Sequence, residues 1–164
     1  MNRGTLLLLI LLFLIIIYFK FNCGYSFRTA SGRRYRARNL ETAELIDKLR
    51  DISIDLSYEI NEEQGKKLRT RLQNTSFKEL IHQDPNILAW NWDKGREIGI
   101  KIYDAYDQIY SPEQIITALF HELAHSLIDK LGHGQEWIAA NDYLMTFKTK
   151  YVNVLLDKTD IFNE

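Results

Sequence analysis

Residues 121–137 read HELAHSLIDKLGHGQEW and contain three of the four histidines of this 164-residue chain. His121 and His125 are four positions apart, so on an α-helix both imidazoles project from one face and can meet one metal ion. Glu122 lies about 100° around the helix from His121, near enough to contact a metal-bound water without being a ligand. The spacing therefore predicts a metal centre carried by one helix, and a third histidine, His133, follows just beyond Gly132.

The residues before this segment predict where the helix begins. Ser111 at the N-cap and Gln114 three residues later form a capping box, and Pro112 suits the first helical position. Apolar residues fill the arc opposite the histidines: Ile116, Leu119, Phe120, Leu123, Leu127 and Leu131. We therefore expect one side of the helix to lie in the core while the other presents the histidines to a cleft.

The position of His133 limits the length of the helix. A helix that continued six residues past His125 would end about 9 Å further along its axis, too far for His133 to share a metal. We therefore predict that the helix ends at about residues 128–130, or that the chain reverses sharply at Gly132. The alternative third ligands are Glu136 and, behind it, Asp142.

The rest of the chain predicts an α+β domain with a small antiparallel sheet. Apolar spacing indicates a helix over 40–51, and charged residues 62–73 are typical of a surface helix. Alternation over 52–56 favours a strand, whereas 76–82 is predicted to be a helical turn. A hairpin is predicted from two β-branched and aromatic runs, 87–92 and 98–103, with a last helix over 135–151.

Composition excludes several classes of protein. The chain is 46% hydrophobic and 26% charged, a balance that excludes a disordered or low-complexity chain. Its formal net charge is −1, so no global charge favours nucleic acid. Its one cysteine cannot form an internal disulfide, which excludes the disulfide-stapled secreted domains.

Residues 6–19, LLLLILLFLIIIYF, form an uninterrupted apolar run near the N-terminus. We predict a transmembrane anchor over residues 1–24, with a cleaved signal peptide as the alternative. Basic residues are concentrated after the run, and this asymmetry predicts that the folded domain faces the cytoplasm. The protein is thus expected to be located in the membrane, which it would cross once.

Residues 25–39 lack apolar periodicity and are predicted to be a basic juxtamembrane linker, which leaves 40–164 as the folded domain. The linker holds a cluster of arginines: Arg33, Arg34, Arg36 and Arg38. Its simplest interpretation is a solvated segment that sets membrane orientation. Nucleic acid is a possible partner for these arginines, with no other support in the sequence.

The motif HExxH at residues 121–125 is followed by His-Gly-x-x-aromatic at residues 133–137. Together they resemble the active-site segment of the SprT-like and WLM zinc metallopeptidases. These belong to the zincin group, which includes the Spartan and Wss1 proteases. The resemblance covers about residues 87–144 and includes the strand and capped helix that precede the motif. It implies a zincin-like α+β fold, one catalytic Zn²⁺ held by His121, His125 and His133, and Glu122 as the general base. It also implies protein or peptide substrates, which in Spartan-type members are proteins crosslinked to DNA.

The sequence therefore predicts a membrane-anchored zinc metallopeptidase that hydrolyses peptide bonds through a zinc-bound water activated by Glu122. The alternative is a catalytically silent, zinc-stabilised adaptor tethered to the membrane. A second donor to the oxyanion is expected in the enzyme, and the sequence does not rank its candidates. These candidates are Tyr103, Tyr106 and Tyr143.

Overall fold

The structure, a computed structural model, describes residues 3–23, 25–81, 84, 86–130, 132–159 and 161–162. The helices of this part of the chain are α1 (Arg3–Cys23), α2 (Leu40–Glu59), α3 (Glu62–Leu72), α4 (Pro112–Leu127), α5 (Gln135–Met145) and α6 (Lys148–Asp157). The strands are β1 (Tyr25–Arg28), β2 (Arg34–Ala37), β3 (Ser76–Glu79), β4 (Ala89–Trp92) and β5 (Glu97–Ile100). The predicted α+β class is confirmed.

The five strands form one mixed sheet in the order β1-β2-β3-β5-β4. The outer pairs β1–β2 and β4–β5 are antiparallel, whereas β3 runs parallel to both β2 and β5. The prediction of an antiparallel sheet is therefore wrong at its centre. The reason is the connection from β2 to β3, which passes through α2 and α3 and can return the chain in the parallel direction.

The helix α2 is eight residues longer than predicted because it continues through the expected strand. The alternation of apolar residues over 52–56 also satisfies helical spacing, since Ile52 and Leu56 are four positions apart. Both are buried, and they extend the stripe of Leu45 and Leu49 along the same face of the helix. The prediction of a strand over 52–56 is therefore wrong, because the short alternating pattern is part of a longer helical pattern.

Two other segments differ from their predictions. Residues 25–39, expected to be an irregular linker, contain the hairpin β1–β2, in which Tyr35 and Ala37 enter the core. Residues 76–79, expected to be helical, form β3, the central strand. Both segments are short; β1 pairs only with its neighbour β2, whereas β2 and β3 also pair with strands distant in the sequence.

The hairpin predicted before α4 is confirmed. β4 and β5 pair antiparallel and are joined by a 3₁₀ turn, Asp93–Gly95, in which Gly95 has φ +100°. β4 lies at one edge of the sheet, and α4 packs against both strands. The helix α4, which carries the HExxH motif, therefore packs against the sheet at its β4 edge.

Two of the four arginines proposed as a nucleic-acid contact have partners within the fold. Arg33 pairs with Asp47 and Asp51, and Arg38 bonds both oxygens of Glu79. Arg34 and Arg36 are exposed on β2. A nucleic-acid partner therefore stays a prediction, and it rests on these last two side chains.

The prediction of a membrane anchor over residues 1–24 is corrected by the structure. Among the helices of the described residues, none is long and apolar enough to span a bilayer. The apolar run within α1 covers only about 21 Å as a helix, against a hydrocarbon core of about 30 Å. The expected single-pass membrane localisation is therefore contradicted.

Candidate metal centre

The helix α4 begins where the sequence predicts. Ser111 Oγ accepts from the Gln114 backbone N–H at 3.2 Å, and Gln114 Oε1 accepts from the Ser111 N–H at 3.0 Å. The capping box is thus complete, with Pro112 in the first turn. The face opposite the histidines is fully buried, as expected from its apolar residues: Ile116, Leu119, Phe120 and Leu123. This buried face fixes the position of the helix, and the other side presents His121 and His125.

The early end predicted for this helix is confirmed. α4 stops at Leu127, and Ile128 has an extended backbone with φ −107° and ψ 158°. The chain then turns back through Gly132, whose φ of +87° is a conformation that side chains rarely adopt. α5 begins at Gln135, so His133 lies in a short loop between two helices.

His133 returns to the two histidines of α4. One nitrogen from each of His121, His125 and His133 lies within 4.8 Å of the others. The Nε2 atoms of His121 and His133 are 3.2 Å apart. The three rings have centroid separations of 4.8–5.1 Å. The predicted triad is thus assembled in space, and these three side chains could form a metal site.

The histidines on α4 favour the neutral form, which is the form that binds a metal. Burial, with the charge of His133, lowers the pKa of His121, and burial lowers that of His125 to about 4. Each ring therefore offers a nitrogen lone pair at neutral pH. The donor set is that of metals that prefer imidazole ligands.

Trp137 closes one side of the triad. Its ring centroid lies 4.4 Å from that of His133, 4.7 Å from that of His121 and 5.4 Å from that of His125. The side chain is 9% exposed. It comes from the first turn of α5, so the same short element that follows His133 also packs against all three rings.

Glu122 is buried beside the histidines. It is 5% exposed, and burial raises the pKa of its carboxyl group to about 7. Asn91 of β4 donates to the Glu122 carbonyl oxygen at 2.6 Å and to Ser126 Oγ at 2.8 Å. The edge strand is thereby bonded to the turn of α4 that carries Glu122. Sequence analysis missed Asn91, since no motif marks it.

A cleft of about 530 Å³ opens next to this group. His121 and Glu122 form one end of it, and the first half of α4 contributes Thr117 and Ala118. The opposite wall is the segment 86–89 that leads into β4. A ligand of the size of several amino-acid residues can therefore reach Glu122 and His121 from the sheet edge.

The alternative ligands and the three candidate donors have other partners or lie exposed. Glu136 pairs with Lys130, and Asp142 is exposed on α5. The Tyr143 hydroxyl accepts from the Asn61 backbone N–H, and Arg38 stacks over the ring of Tyr103. Tyr106 is 85% exposed. None of these three contacts brings a further side chain to the triad.

Arg71 of α3 contacts the end of α4 and was also missed by sequence analysis. Its Nη1 donates to the carbonyl oxygens of Ser126 at 2.6 Å and Ile128 at 3.2 Å. Its Nη2 donates to Asp129 Oδ1 at 2.9 Å. The contact joins residues more than fifty positions apart, so no local pattern could have indicated it.

Comparison with known proteins identifies the family. The WLM domain matches residues 57–146, more than half of the chain, with α4 and its histidines inside the matched region. The chain belongs to the WLM domain family. The predicted family membership is thus confirmed, and no curated protein matches this WLM chain.

Two solved structures are similar to this WLM chain. A crystal structure of Wss1 from Saccharomyces cerevisiae is 22% identical, with a TM-score of 0.43, and the match covers 54% of this chain and 73% of that one. A crystal structure of a Wss1 mutant from the same organism is 20% identical, also with a TM-score of 0.43, over 61% and 80% of the two chains.

Proposed function

We propose that this WLM protein is a zinc-dependent metallopeptidase, with His121, His125 and His133 as the metal ligands and Glu122 as the general base. The observation that carries the proposal is the convergence of three imidazoles, one of which, His121, lines a cleft together with Glu122. Three histidine ligands leave one position of a tetrahedral ion open to solvent or substrate, as in catalytic zinc sites.

The spacing of one pair of donors fits zinc. Two ligands at about 2.0–2.1 Å from a tetrahedral ion lie about 3.3 Å from each other. The 3.2 Å separation of the His121 and His133 Nε2 atoms matches that distance. When bound, zinc supplies Lewis acidity, which polarises a carbonyl group and acidifies water.

The Glu122 carboxylate supplies the proton transfer. It accepts a proton from the water that attacks the peptide carbonyl and passes that proton to the leaving amine. Its burial, together with the bonds of Asn91 to the same helical turn, holds it at the end of the cleft. A base fixed in this way needs little reorganisation when the substrate binds.

The cleft favours an extended peptide as substrate. One wall leads into β4, the strand at the edge of the sheet, and edge strands can pair with an added peptide strand. The apolar side chains of Ile87 and Leu88 lie on that wall, opposite Ala118 of α4. An unfolded segment of a protein could thus lie between the sheet edge and the motif helix.

The test is Glu122→Gln in the full chain, assayed on an unfolded protein with added zinc. We expect the variant to bind zinc as the wild type does and to lose hydrolysis, because glutamine cannot accept the proton. Hydrolysis at the wild-type rate would contradict the role of Glu122. Zinc binding without hydrolysis by the wild type would instead favour a zinc-stabilised adaptor.

A further inference from the structure

The end of α4 lacks the usual device that terminates a helix. The last carbonyl groups of a helix need donors, and a glycine in left-handed conformation commonly provides the turn that supplies them. Here the residues after His125 are serine, leucine and isoleucine, and Ile128 is extended. The donor comes from another helix, since Arg71 bonds the carbonyl oxygens of Ser126 and Ile128.

Arg71 also holds the first residue of the loop that follows. Its Nη2 bonds Asp129 Oδ1, and Lys67, one turn earlier on α3, bonds Asp129 Oδ2 at 2.9 Å. The Lys94 ammonium group donates to the Asp129 carbonyl oxygen. Asp129 is thereby held by three cations from two elements, four residues before His133.

The backbone of α3 that carries Arg71 is held in place. Leu68 and Leu72 bury the neighbouring face of α3 in the core. The Thr75 hydroxyl donates to the Arg71 carbonyl oxygen at 2.9 Å, which ties down the end of α3. A planar group with several fixed N–H donors can bond two carbonyls and a carboxylate together, which the single ammonium of lysine cannot do with the same geometry.

We propose that Arg71 is a positioning residue for the metal centre: by bonding the carbonyl oxygens of Ser126 and Ile128 and the carboxylate of Asp129, it fixes the course of the loop that carries His133. This inference rests on the proposed function, since it assigns Arg71 to the site described above. A helix without this cap would fray or extend, and His133 would lose its fixed distance from His121.

The experiment compares zinc affinity in full-length wild type, Arg71→Met and Arg69→Met, measured by competition with a chelator. Arg69 is a matched control, because it lies on the same helix and also bonds a backbone carbonyl, that of Ser57, away from the loop. We expect Arg71→Met to bind zinc about 10-fold more weakly or worse, as when supporting residues of a metal site are removed. Arg69→Met should bind as the wild type does.

A second pair of variants separates positioning from general destabilisation. In a His133→Ala background, Arg71→Met should cause no further loss of zinc affinity, because its effect passes through that ligand. Asp129→Asn, a substitution at an exposed position, tests the contact between Arg71 and Asp129 if Arg71→Met does not fold. This variant should also bind zinc more weakly. Cobalt bound in place of zinc should give an altered visible spectrum in Arg71→Met and an unchanged one in Arg69→Met.

Several outcomes would overturn the inference. Wild-type zinc affinity in Arg71→Met would overturn it. So would a loss of zinc affinity on Arg71→Met that is equally large in the wild type and in the His133→Ala background. If Arg71→Met does not fold, wild-type zinc affinity in Asp129→Asn would overturn the inference. A wild-type protein that binds no zinc would instead contradict the proposed function, so the two failures are distinguishable.

Discussion

The Nε2 atoms of His121 and His133 lie 3.2 Å apart, although twelve positions separate the two residues in the sequence. A continuous helix would place the same residues about 18 Å apart along its axis. The short distance exists because α4 ends at Leu127 and the loop returns through Gly132. The candidate metal centre is thus a property of the tertiary structure as well as of the helical motif.

Removal of zinc should destabilise the protein. A metal that binds only the folded state stabilises it by about 4 kcal/mol when its free concentration is about a thousand times its dissociation constant. We expect a chelator to lower the melting temperature of the wild type and added zinc to restore it. His121→Ala should show no response to the chelator. Identical melting curves with and without chelator would argue against a bound metal in the wild type.

A larger side chain at position 118 should block the cleft. Ala118 lines it from α4, one turn before Glu122, opposite the segment that leads into β4. In a peptidase assay, Ala118→Leu should raise KM several-fold and leave zinc affinity unchanged. Ala118→Ser, which adds a single oxygen, is the size control and should behave as the wild type. An unchanged KM in Ala118→Leu would mean that substrate does not occupy this cleft.

Acid should remove the contribution of Asp47 to stability. Burial alone would raise the pKa of this carboxyl group, but the hydrogen bonds and the charge around it lower the pKa below its ordinary value. Its partners are Ser31, Tyr35, Thr29 and Arg33. A lowered folded-state pKa stabilises the protein above the unfolded value of about 3.9 and loses that effect as the pH falls through the folded value.

Asp47→Asn measures this contribution. We expect the variant to be about 2–3 kcal/mol less stable than the wild type at pH 7, because bonds to a buried charged group are lost. The difference should shrink below about pH 4 as the wild-type carboxylate becomes protonated. Asp51→Asn is the control, since this carboxylate also pairs with Arg33 but is about half exposed. A difference that does not vary with pH would contradict the assignment.

Gly65→Ala should destabilise the contact between α2 and α3. A methyl group at this position of α3 would overlap the carbonyl oxygen of Ser57 on α2. Alanine gains about 1 kcal/mol in helix propensity, but overpacking against a backbone atom costs about 1–3 kcal/mol. We expect a net loss of stability in a denaturant titration, whereas the exposed neighbour Lys66→Ala should be neutral. A stabilised Gly65→Ala would show that the two helices can separate at little cost.

The parts of the fold that the sequence predicted were those with strong local signals. The capping box fixed the start of α4, and the turn residues at 93–95 indicated the β4–β5 hairpin. The early end of α4 followed from the reach required of His133. In each case the physical cause lies within about twenty residues, so it is visible in one stretch of sequence.

Three of the features that were missed depend on distant residues. β3 lies at the centre of the sheet because β2 and β5 pair with it, and its own four residues carry no clear strand pattern. The role of Arg71 depends on the packing of α3 beside α4, and that of Asn91 on the docking of the sheet edge. No local periodicity encodes such contacts.

The zinc content of the purified full-length protein tests the central claim most directly, with wild type, His133→Ala and Glu136→Ala measured together. The structure predicts stoichiometric zinc in the wild type and in Glu136→Ala, because Glu136 pairs with Lys130 instead of facing the triad. His133→Ala should retain little or none. A wild type without zinc, or full zinc in His133→Ala with loss in Glu136→Ala, would contradict the proposed three-histidine site.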